Sequence, residues 1–125
     1  MEQIERRQRR SDDILEALNL QLDACRKDAE LEAMVLGDED GLCLAFAGDE
    51  SSCHEVAAQM SLVNHKIENF EGVVLSPERA WTLRMRRFRA AGAWLYLCAV
   101  GGGTEERGRE IQRSIGGVTR ILAAV

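Results

Sequence analysis

The sequence predicts one α+β domain, a three-layer sandwich with a five-stranded antiparallel sheet and helices on both faces, in the order α-β-β-α-β-β-β-α. Three observations carry this. Apolar residues recur at helical spacing in three segments, near the start, the middle and the end of the chain. Five short apolar runs lie between them, separated by turns rich in Gly, Asp or Pro. The chain has 125 residues, 46% hydrophobic and 30% charged, which suits one core of ordinary globular composition.

Ser11 reads as the N-cap of the first helix, with Asp12 and Asp13 bringing negative charge to its first turn. Ile14, Leu18, Leu22 and Cys25 follow at helical spacing, with Leu15 beside them, so the helix is expected over about 11–29. Residues 1–10 form a basic N-terminal extension ahead of a domain at 11–125. The i,i+4 pairs Glu2–Arg6 and Glu5–Arg9 favour carrying the helix into that extension.

Residues 31–37 read as a strand, Asp38-Glu39-Asp40-Gly41 as a tight turn with Gly41 free to take positive φ, and residues 42–47 as the returning strand. Few polar residues interrupt this hairpin, so both of its faces should be covered. A second helix opens at Gly48-Asp49-Glu50-Ser51 and is expected to run to about Ile67. Its inward arc holds Cys53, Val56, Ala57, Met60, Val63 and Ile67. On the opposite side Leu62 stands among Ala58, Ser61, His54 and His65. A leucine among small residues on the outer side of a helix is a sign of helix–helix contact.

Residues 70–75 predict a third strand and Ser76-Pro77-Glu78-Arg79 a turn. Residues 80–88 alternate as a fourth strand, with Trp81, Leu83 and Met85 on one face. The phase breaks at Arg86-Arg87, and a β-bulge there would return Phe88 to the apolar face. After a turn at Ala91-Gly92, residues 93–100 form the most uniformly apolar run, expected to be a central strand buried on both sides. Thr104 reads as the cap of the last helix, whose stripe is Ile111, Ile115, Val118, Leu122 and Val125. Gly116-Gly117 weakens that helix, which implies a close neighbour against its backbone.

Charge is segregated along the chain. Residues 1–10 carry four Arg against two Glu, residues 11–78 carry sixteen acids against three bases, and residues 79–125 carry nine Arg against three Glu, for a net −5. The acidic front can therefore attract the basic back, within one chain or between two. The acidic balance argues against nucleic acid as a partner. No run approaches the ~20 apolar residues of a membrane span. The charged N-terminus does not read as a secretory signal. Cys25, Cys43, Cys53 and Cys98 are irregularly spaced among apolar residues and read as buried thiols of a reducing cytoplasm.

Self-contained chemistry is missing. Gly101-Gly102-Gly103-Thr104 lacks the lysine of a phosphate loop, and the element order lacks a parallel βαβ unit. His54 and His65 lie eleven positions apart on one helix and cannot share a metal. No cofactor, metal or catalytic residue is therefore expected. Arg84, Arg86, Arg87 and Arg89 form the one conspicuous charge cluster. It reads as a candidate partner surface or, more simply, as a solvated strand that offsets the acidic front half.

Three stretches together resemble the Roadblock dynein-light-chain family: the hairpin AMVLGDEDGLCLA, the helix DESSCHEVAAQMSLV and the ending AWLYLCAVGGGTEERGREIQRSIGGVTRIL. The resemblance covers about residues 12–125. It implies the same α-β-β-α-β-β-β-α sandwich and a dimer that joins third strands into one sheet and packs second helices together. On this chain it implies an interface at Phe70, Val73, Val74 and Leu75 with Ala58, Leu62 and His65. It further implies a non-enzymatic regulator or scaffold of a Ras-like small GTPase in the cytoplasm, with stimulation of GTP hydrolysis as one form of that role. The alternative on the same sandwich is a protein-interaction or small-ligand-sensing scaffold with no GTPase partner.

Overall fold

The computed structural model describes residues 2–63 and 67–124, with side chains from residue 5 onward. Its elements are α1 (Glu2–Asp28), β1 (Ala33–Asp38), β2 (Cys43–Ala47), α2 (Glu50–Val63), β3 (Asn69–Leu75), β4 (Ala80–Ala90), β5 (Ala93–Val100) and α3 (Thr104–Ala123). The order is the one the sequence predicts. The five strands form a single antiparallel sheet in the spatial order β2-β1-β5-β4-β3.

The sheet has an apolar cluster on each face. Leu18, Leu22 and Cys25 of α1 and Ile111 and Val118 of α3 pack on Met34, Leu36, Phe88, Leu95, Leu97 and Ala99. On the other face, Cys53, Val56, Ala57 and Met60 of α2 pack on Val35, Trp81, Leu83, Met85, Tyr96 and Cys98. Alternate residues of β1 and β5 thus feed two cores, which is why those strands read as unbroken apolar runs. β5 is central, and it is buried from Leu95 to Val100.

Several expectations are corrected. Ser11 is not an N-cap: α1 runs through it from Glu2, because Glu, Gln and Arg upstream are good helix formers with no break between them. Thr104 does not cap α3. Gly103 takes the cap position with no side-chain bond, and the Thr104 hydroxyl accepts from Arg107 instead. The described part of α2 ends at Val63, and Ile67 lies outside it, in irregular backbone.

No bulge interrupts β4. Its pairing with β5 runs in unbroken register from Leu83↔Val100 to Ala90↔Ala93. Phe88 sits on the opposite face from Met85 and is buried there against the α1 and α3 cluster. A sheet covered on both sides gives an off-phase aromatic a second core, so no extra residue is required.

The segregated charges meet within one chain. Arg79 pairs with Glu32 at 2.7 Å, Arg113 with Asp28 at 2.6 Å, Arg87 with Glu39 and Arg107 with Glu71. Each joins an arginine of the basic back to an acid of the front. Gly117 has the close neighbour that its helix position implied: the Gln21 carboxamide of α1 fills the space a side chain there would need. Gly116 has no comparable contact, only the end of Arg120 at ordinary distance.

Candidate functional site

The two edges of the sheet differ. On β2, the Asn19 carboxamide oxygen of α1 accepts the Phe46 N–H at 3.0 Å, which occupies an outward-facing amide. On β3, the hydrogen-bonded ladder toward β4 is anchored by Ser76 N–H to Arg79 C=O at 2.9 Å and by Arg87 N–H to Glu68 C=O at 2.7 Å. Antiparallel pairs alternate, so the backbone groups of Asn69, Glu71, Val73 and Leu75 face outward from the sheet. Among the described residues no strand pairs with that side.

The side chains of β3 split by face. Phe70 and Val74 are half-buried against the α2 cluster. Val73 and Leu75 point to the other face and are 57% and 74% exposed. On α2, Ala58 is exposed and Leu62 is 78% exposed, the largest exposure of any big apolar side chain described. His65 lies outside the described residues. An open strand edge flanked by apolar side chains is a template for pairing with another chain.

β3 is held from one side by β4 and by a single buried cation. Arg107 of α3 is 4% exposed. Its Nε donates to Glu71 of β3 at 2.9 Å, and its Nη1 donates to the carbonyls of Gly101 and Gly102 at 2.9 and 2.7 Å. The tether joins the candidate edge to the turn after the central strand.

No family model matches the chain, and no curated protein matches it in sequence. Solved structures do match. MglB of Myxococcus xanthus superposes with a TM-score of 0.64 over 88% of this chain and 90% of its own, at 14% identity. The gliding protein MglB of Thermus thermophilus gives 0.58 over 94% and 91%, at 15% identity. A Roadblock/LC7 domain of Streptomyces avermitilis gives 0.59 over 84% and 97%, at 18% identity. The fold is that of a Roadblock-like domain.

In this Roadblock-like domain the four clustered arginines do not form one surface. Strand alternation sends Arg84 and Arg86 to the α1 and α3 face and Arg87 and Arg89 to the α2 face. Arg84 donates to the Asn69 carboxamide at 3.3 Å, and Arg86 is exposed. Arg87 pairs with Glu39 and lies 4.2 Å from the centre of the Trp94 ring, which Arg89 approaches at 5.5 Å.

Burial suppresses three of the four thiols as nucleophiles. It pushes Cys43 up to about 11 and Cys53 up to about 12, and it raises Cys98 well above the ordinary thiol range. Among the described residues no group of three or more His, Cys, Asp or Glu is placed to hold a metal ion, and no helix is long and apolar enough to cross a membrane.

Sequence reasoning missed one feature. A groove of about 860 Å³ runs between α1 and the outer edge of β2. Leu15 and Leu20, which line it, lie off the α1 core stripe and are the signal the sequence offers.

Proposed function

We propose that this Roadblock-like domain is a non-enzymatic, dimeric regulator or scaffold of a Ras-like small GTPase, working in the cytoplasm. The observation that carries the reading is the open edge of β3, set against β2, where Asn19 of α1 already takes the outward Phe46 amide. A second copy would extend the sheet through Asn69–Leu75 and pack its α2 against Ala58 and Leu62, with His65 nearby. The GTPase would meet the composite surface, and Arg86 and Arg89 are exposed charges within its reach. The likeness to two MglB structures and a Roadblock/LC7 domain supports the reading. A second reading, an interaction scaffold with no GTPase, draws on the groove beside α1.

The test has two arms. Light scattering should give the mass of two copies at low micromolar concentration. The purified protein should also bind a Ras-like GTPase from the same organism, with different affinity in the GDP-bound and GTP-analogue-bound states. A single-copy mass at every concentration removes the dimer. No binding in either nucleotide state removes the GTPase and leaves the scaffold reading.

A further inference from the structure

We propose that the groove between α1 and β2 is a docking site for a short cationic amphipathic segment of a partner protein, held by its side chains and not as an added strand. The inference is independent of the GTPase reading, because the groove lies at the sheet edge opposite β3.

The groove has an apolar lining that packing within the chain does not explain. Leu18, Leu22 and Cys25 already supply the core face of α1. Leu15 and Leu20 stand outside that face, 45% and 63% exposed, and both line the groove with Phe46 of β2. Exposed leucines gathered beside one another off the core stripe of a helix make a contact surface.

The surrounding charge selects the occupant. Asp12 and Glu16 of α1 and Asp49 at the start of α2 line the groove, and Asp23 and Glu32 lie further along it. Five carboxylates stand against one base, Arg26, which is bound to Asp23 at 2.9 Å. Asp23 is also paired with Lys27 and Glu32 with Arg79. Asp12, Glu16 and Asp49 have no basic partner among the described residues. Asp49 accepts the Ser52 N–H and Asp12 the Gln8 carboxamide, so these groups are hydrogen-bonded but not charge-paired. An apolar strip edged by carboxylates without basic partners matches the inverse pattern, aliphatic side chains flanked by Lys or Arg.

The backbone decides the binding mode. Asn19 occupies the Phe46 amide on the β2 edge, so an arriving strand would have to displace it. A helix laying its side chains into the groove would not. The lining runs along α1 from Asp12 to Arg26, about 21 Å at 1.5 Å per residue, which matches a segment of about four helical turns.

The test titrates two helical peptides of about 14 residues into the isotopically labelled full chain. Both carry the same leucine pattern, one with Lys and the other with Glu at the flanking positions. The Lys peptide should shift amides of residues 12–26 and 46–49 with a Kd of about 10–100 μM, and the Glu peptide should not. Leu20→Ser and the double variant Asp12→Lys with Glu16→Lys should each weaken binding about tenfold, while Glu105→Lys on α3 leaves it unchanged. All the altered side chains are exposed or half-exposed, and amide spectra verify the fold of each variant. Absent binding, shifts mapped elsewhere, or affinity indifferent to both variants overturns the proposal. A groove already covered by a second copy also overturns it: Leu20→Ser would then lower the mass in sedimentation, and the peptide would compete with self-association.

Discussion

Arg107→Met keeps the aliphatic stem and deletes the guanidinium that ties β3 to α3. The side chain is 4% exposed and serves Glu71, two backbone carbonyls and the Thr104 hydroxyl. Breaking a buried ion pair costs about 3–5 kcal/mol. Glu71 is a third exposed and regains water, so the expected loss is nearer 2–3 kcal/mol. For a chain of 125 residues the unfolding entropy is about 260 cal/mol/K, so Tm should fall by about 8–12 °C. Thermal unfolding followed by circular dichroism reads this directly. Glu71→Gln with Arg107→Met should show a coupling of about 1–2 kcal/mol in a double-mutant cycle. Amide exchange should accelerate more in β3 than in the central β5. An exposed ion pair is worth at most about 1 kcal/mol, or about 4 °C here. A fall no larger than that would refute the view of Arg107 as a buried tether.

Four further outcomes are expected. Leu62→Asp should weaken self-association at least tenfold, because a side chain now 78% exposed would bring an unpaired charge into the proposed helix–helix contact; sedimentation equilibrium reads it, and an intact dimer at low micromolar protein makes Leu62 an ordinary surface residue. Tyr96→Phe should cost about 1–2 kcal/mol in urea unfolding, because the buried hydroxyl donates to the Ala57 carbonyl at 2.6 Å. Stability should be flat near pH 7 to 8 and decline above about 9. The unfolded thiols of Cys43 and Cys53 lose protons there, while the folded ones hold them to about 11 and about 12, so the unfolded state binds fewer protons and the slope is negative. A denaturation midpoint unchanged from pH 8 to 10.5 would contradict this. Gly116→Ala should raise Tm by about 2–4 °C, since nothing closer than the end of Arg120 meets the added methyl and the helix gains up to about 1 kcal/mol.

Much of the fold is legible in local pattern. The turn at Ala91-Gly92 is visible as a dipeptide, and both residues take positive φ, +51° and +76°, as a two-residue hairpin requires. Leu62 stands out on the helical wheel and proves to be the most exposed large apolar side chain described. The failures share one cause. A cap at Ser11 and a bulge at Arg86-Arg87 are inferences from a few neighbouring residues. The first is overridden by good helix formers upstream and the second by a core on the far face of the sheet. The arginine cluster misleads in the same way, since four near-contiguous residues on a strand point to opposite faces.

Periodicity, turn residues and composition set the eight elements, their order and their burial, because each depends on contacts within about ten residues along the chain. Pairing of distant segments decides which edge of the sheet is free. β1 joins β5 across sixty residues, Asn19 reaches Phe46 from another element, and Arg107 grips Glu71 thirty-six positions away. Such contacts compete globally for a limited set of partners, and no local window records the winner. The open border of β3 and the acidic groove beside α1 are therefore products of the tertiary arrangement alone.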